Sequence, residues 1–153
     1  MTLLYKLPIT SALGAVLLAL AGCASVPEGP TVGDIVAQGA KRITKQDFQD
    51  RLPARIQQQW PNGQGEEELF LARDGKVTGT GLHYASKGTS SVEGTWSVAD
   101  DGKLCIPKKF TVWGTSTNLC WYGYTVGTTM YAAQTTEPSS KVYKVNSFTK
   151  TGG

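Results

Sequence analysis

Residues 92–105 read VEGTWSVADDGKLC and residues 118–126 read NLCWYGYTV, and these two stretches decide the fold. In the first, Val92, Gly94, Trp96 and Val98 alternate with Glu93, Thr95 and Ser97, the period-2 pattern of a strand with one buried face. Asp100-Asp101-Gly102 then supplies turn chemistry, because Gly tolerates positive φ and Asp hydrogen-bonds nearby backbone. Leu104 to Ile106 begins the return strand. A loop of about eleven residues, longer than the usual hairpin connection, leads to the second stretch. There Cys120, Tyr122, Tyr124 and Val126 alternate with Leu119, Trp121, Gly123 and Thr125. Both sets are largely apolar or aromatic, so this strand is expected to be covered on both faces and to lie at the centre of the sheet.

The segments on either side read as further strands. Asp74-Gly75 is a second hairpin signal, joining Glu66–Arg73 to Lys76–Tyr84, and Gly79 and Gly81 predict a bulge or a close backbone approach. Pro61-Asn62-Gly63 is a turn; Arg55–Trp60 before it is read as a strand, although IQQQW also fits a helix extension. Ser86–Ser90 is a polar turn. Downstream, Met130–Gln134 and Lys141–Phe148 are strands separated by a Thr/Pro/Ser-rich loop, and Thr149–Gly153 is a tail with nothing to bury.

Before the sheet, Asp34–Ala40 is expected to form a short helix ending at Gly39. Thr44 reads as an N-cap with Asp47 three residues on, an acidic form of the capping box. Ile43 can staple Phe48, Phe48 and Leu52 give one apolar stripe, and Pro53 ends that helix. About seven short strands behind a helical start predict an α+β, mainly β fold. The expected architecture is an antiparallel sheet curled into a small barrel or sandwich, with a short N-terminal helix packed on it.

Residues 1–22 carry Lys6, the apolar run LGAVLLALAG and a small-residue exit. The run is roughly half the length needed to span a bilayer, which favours a signal segment over a transmembrane helix. Leu20-Ala21-Gly22-Cys23 resembles the bacterial lipobox at every position. The resemblance implies cleavage before Cys23 and acylation of that cysteine, a membrane anchor stronger than the two-signal requirement. Ala24 follows, where Asp retains many lipoproteins in the inner membrane, so the periplasmic face of the outer membrane is the expected location. Ala24–Gly33, rich in Pro and Gly, reads as a flexible tether. The expected organisation is leader 1–22, lipid-anchored tether 23–33, one domain over 34–148 and a tail over 149–153.

Cleavage leaves 153 − 22 = 131 residues, one small domain, with a charge of 14 − 12 = +2. That balance, with no basic stripe, argues against nucleic acid. Lys108-Lys109 reads as solvated loop. With Cys23 acylated, Cys105 and Cys120 remain, and an even pair in an oxidising compartment predicts a disulfide. Such a bridge would contribute on the order of 3 kcal/mol by loop entropy. A two-thiol metal site, the other reading, lacks nearby imidazole or further thiols, and no metal or cofactor is expected.

His83 is the single histidine, on a predicted strand without a nucleophile motif around it, so no catalytic residue is assigned. Glu66-Glu67-Glu68 reads as a solvated strand start, and Asp100-Asp101 as turn residues without calcium-loop spacing. The aromatics are the better candidates, because ring-bearing sheet faces bind sugars or apolar ligands by stacking and burial. Trp113 in the long loop, with Trp121, Tyr122 and Tyr124, forms the candidate binding set.

The order GAKRIT-x-x-x-F, an NG/DG pair of turns, GTWSVADDGKLC and a later CWYGY resembles the small exported proteobacterial proteins of the DUF995 type, over about Ile35 to Tyr131. That resemblance implies neither an activity nor catalytic residues. GTW is also similar to the glycine–tryptophan signature of lipocalins and avidins, but it lies mid-domain, so the likeness is one of architecture. The expected function is that of a non-catalytic outer-membrane lipoprotein binding an envelope component, small ligand or partner protein. The other reading is a cell-envelope hydrolase.

Overall fold

Turn chemistry sets the strand boundaries in the computed structural model, which describes residues 29–85 and 88–152. In chain order the elements are α1 (Val32–Ala37), β1 (Lys41–Arg42), α2 (Lys45–Asp50), β2 (Ala54–Gln59), β3 (Gly65–Leu71) and β4 (Lys76–His83). There follow β5 (Gly88–Thr95), β6 (Ser97–Val98), β7 (Lys103–Phe110), β8 (Thr115–Val126), β9 (Thr129–Ala133), β10 (Val142–Val145) and β11 (Ser147–Lys150). Both Asp-Gly turns form as read. Gly75 and Gly102 take φ of 87° and 84°, and the Gly102 N–H donates to the Ala99 carbonyl at 2.9 Å.

The fold is mainly β and antiparallel, with strand order β10-β9-β8-β7-β5-β4-β3-β2-β11. Apart from β11 and the two-residue β1, which pairs with β8, neighbours in the sheet are neighbours in the chain, an up-and-down meander. The two edge strands, β10 and β11, are separated by Asn146 alone, whose N–H donates to the Gln57 carbonyl at 3.0 Å. One residue therefore carries the chain across the seam, and the sheet nearly closes into a barrel. Counted with β5–β6 and β10–β11 as one interrupted strand each, and leaving out the two-residue β1 that pairs outside β8, it has eight strands. That size leaves an interior for side chains or one small ligand.

Inside, alternate residues of each strand meet: Ile56, Leu69, Leu71, Val77, Val92, Leu104 and Ile106 are all at most 1% exposed. The end of the barrel where β2 begins is covered by α2. There the Phe48 ring stacks on Phe148 at 5.3 Å and lies 5.6 Å from Trp96. The Thr44–Asp47 capping box is complete, and accepting the Thr44 N–H holds the Asp47 carboxyl below its usual value. On the outside, α1 lays Val32 and Ile35 against Tyr124, Ala133 and Val142. The strand read as covered on both faces, β8, is so covered, with Trp121 inward and Tyr124 outward under α1.

Several expectations are corrected. The middle of the strand order is β5, and β8 lies third from one edge, also pairing with β1 through Tyr124 and Thr125. The long loop after Ile106 does not exist. Strands β7 and β8 pair without a break from Lys103↔Tyr122 to Phe110↔Thr115, leaving a turn over 111–114. Pro107 and the two lysines after it looked like loop. Proline is accommodated because the β7 ladder to its other neighbour is interrupted there: Gly94↔Lys108 and Ser97↔Cys105 pair, and the positions between do not.

The tether and tail are shorter than read. Thr31 caps α1, Val32 is buried, and the Val32 and Gly33 N–H groups donate to Ser140 and Pro138 at 2.8 Å. Residues 31–33 thus belong to the folded unit, and the helix begins at Val32 rather than Asp34. Thr149 and Lys150 pair with Arg55 and Ala54 in β11, because the free edge of β2 needs a partner whatever side chains supply it. Residues 88–90, read as turn, open β5. Gly79 is a close approach without a bulge: a Cβ there would meet the Glu68 carbonyl across an unbroken β3–β4 register. The leader and Cys23 lie outside the described residues.

Candidate functional site

Toward the end of the barrel opposite α2, the inward positions change from aliphatic to polar. On β2 the series is Ala54, Ile56, Gln58; on β3, Leu71, Leu69, Glu67; on β7, Leu104, Ile106, Lys108. Gln58 and Glu67 are register partners, and the Gln58 Nε2 donates to Glu67 Oε1 at 2.7 Å. The Lys108 ammonium pairs with the same oxygen, the two side chains being 4% and 1% exposed. The other oxygen, Glu67 Oε2, is buried and has no hydrogen-bond partner among the described residues.

Aromatic rings stand above this polar layer. Phe110 and Trp113 stack with centroids 4.7 Å apart, and Trp60 meets both edge-on at 5.9 and 5.8 Å. His83 lies 5.7 Å from Trp60, and its Nδ1 accepts from the Ala85 N–H at 3.3 Å. Missing side chains make room for the rings. A Cβ at Gly81 would lie 2.5 Å from the Phe110 ring, and one at Gly65 would lie 2.6 Å from Trp60. The turn carrying Trp113 is tied to β5, since Thr111 N–H donates to the Ser91 carbonyl and Val112 N–H to Ser90 Oγ.

The rings and the Glu67–Lys108 pair line an open-mouthed cavity of about 370 Å³, within the usual range for small-ligand sites, which favour barrel mouths. Over residues 16–152 the sequence matches the family described as "Protein of unknown function (DUF995)". The chain belongs to the DUF995 family. No curated protein and no solved structure is significantly similar to it.

Of the residues expected to bind, this DUF995 barrel brings Trp113 to the cavity and separates the other three from it. Trp121 is 3% exposed in the core, its Nε1 without a partner among the described residues. Tyr122 and Tyr124 fall on the opposite face of β8 by strand alternation. The Tyr122 hydroxyl donates to Asp101 Oδ2 at 2.8 Å, which raises its pKa and lowers that of Asp101. Cys105 and Cys120 are register partners on β7 and β8 and form the expected disulfide, with an S–S bond of 2.04 Å.

Sequence reasoning missed Glu67, Lys108, Gln58, Trp60 and Phe110 as a group. Glu67 and Lys108, read as solvated, are buried because they share strand phase with Leu69 and Leu71, and with Leu104 and Ile106. That phase was the available signal. Glu66 and Glu68, on the other phase, face outward as read; the Glu68 carboxylate accepts from Arg55 at 2.6 Å.

Proposed function

We infer that this DUF995 protein is a non-catalytic binding lipoprotein of the cell envelope. Acyl chains on Cys23 would hold it at the periplasmic face of the outer membrane, and the mouth of its barrel would take a small ligand. The lipobox directly after an apolar leader supports the anchor. The observation that carries the binding reading is the ring-walled cavity over a buried ion pair. A barrel that needed only a core would be served as well by aliphatic side chains, since buried ion pairs add little net stability. Fixed polar groups at the floor of an apolar cavity suit ligand orientation.

The test uses the chain from Ala24 onward, which holds every described element of the barrel, secreted so that its disulfide forms. The uncharged dye Nile red should bind with a blue-shifted emission. Trp60→Ala and Trp113→Ala should each weaken that binding at least fivefold, while the thinner ring packing lowers stability by only about 1–3 kcal/mol. Undiminished dye binding in both variants would show that the ligand space lies elsewhere.

A further inference from the structure

The floor of the cavity restricts what can enter it. Glu67 and Lys108 are both buried and paired with each other, so their charges cancel beside the ligand space. A charged ligand would bring an uncompensated charge into a site walled by rings, which is strongly unfavourable. One polar atom in that floor has no partner among the described residues: Glu67 Oε2, in a side chain only 1% exposed. A buried acceptor left unmade is costly, and a donor placed against a carboxylate forms one of the stronger hydrogen bonds.

The walls narrow the class further. Trp60, Phe110, Trp113 and Leu119 form its apolar wall, Gln58 and His83 stand half-buried beside them, and Asn62, Thr115 and Thr117 lie at the exposed rim. A ligand with hydroxyls all round, such as a sugar, would turn those on its ring-facing side toward Trp60, Phe110, Trp113 and Leu119, away from these polar groups. A flat body carrying one donor fits both wall and floor.

We propose that the cavity binds an uncharged, flat-ring compound whose single hydroxyl or N–H donates to Glu67 Oε2. This deepens the binding reading above and rests on it. The Phe110–Trp113 stack and the edge-on Trp60 supply the apolar contact. Glu67, oriented by Lys108 and Gln58 through its other oxygen, supplies the directional contact.

Calorimetric titration of the chain from Ala24 onward with 2-naphthol and with 2-methylnaphthalene tests this. The two probes have nearly the same shape, and the second is more hydrophobic but lacks the donor. 2-Naphthol is expected to bind at least tenfold more tightly, as a buried hydrogen bond to a charged group requires. In Glu67→Leu/Lys108→Met, which removes both charges so that neither is left alone, the preference should vanish or reverse. Should that variant not fold, the two probes on the wild-type chain decide the matter by themselves. Equal or tighter binding of 2-methylnaphthalene overturns the role of Glu67 and leaves the binding reading standing. Tighter binding of 2-naphthoate, 2-naphthylmethylammonium or glucose than of 2-naphthol overturns the ligand class. If no naphthalene binds while Nile red does, the class fails alone; if Nile red fails too, both readings fall.

Discussion

Lys108 sits on β7 in phase with Leu104, Ile106 and Phe110, and its ammonium reaches Glu67 inside the barrel. Its neighbour Lys109 points the other way and is exposed. Two adjacent residues of one type therefore make opposite contributions. Lys108→Ala would leave the Glu67 carboxylate buried without its counter-charge, at an expected cost of about 3–5 kcal/mol in urea unfolding. Lys109→Ala should stay within about 0.5 kcal/mol. Matching small effects at both positions would mean that water reaches Glu67 and that the polar floor is not closed.

Among the elements, the β7–β8 hairpin does most to build the mouth. It carries Lys108 and Phe110 up one strand, turns through Trp113, and is crosslinked at Cys105–Cys120 on the outward phase of both strands. The bridge joins residues already opposed by eight consecutive register pairs, so its removal should weaken the barrel without changing its topology. Cys105→Ala/Cys120→Ala is expected to lower stability by about 2–5 kcal/mol, read from urea unfolding, with far-UV circular dichroism retained. A stability equal to that of the oxidised wild type would show that the hairpin needs no crosslink.

At the scale of the molecule, the seam at Asn146 and the start of the fold at Thr31 shape how the domain can be held. The barrel's N-terminal entry is fixed on its outer wall by α1, whose first N–H groups donate to Ser140 and Pro138. The proposed anchor at Cys23 would then be joined to that wall by the few residues before Thr31. Growth with an alkyne fatty acid, followed by click labelling, should mark the wild-type protein and leave Cys23→Ser unmarked. Equal labelling of the two would mean that Cys23 does not carry the lipid.

Much of the fold was legible because local chemistry and final structure agree. The period-2 alternation of 92–98, the Asp-Gly turns, the Thr44–Asp47 cap and the pairing of the two cysteines all depend on neighbours in sequence or on a count of thiols. Closure was not legible, because it depends on β10 and β11 occupying opposite edges of the sheet with one residue between them, and polar strand ends such as Thr149–Lys150 carry no apolar signal. The candidate site was not legible either. Trp60 and Glu67 from the β2–β3 hairpin, His83 from the end of β4, and Lys108 and Trp113 from the β7–β8 hairpin come from three separate stretches of the chain, and only curvature of the sheet brings them to one mouth. A carboxylate and an ammonium read as solvated in sequence because each alone prefers water; buried together, each supplies the partner the other needs.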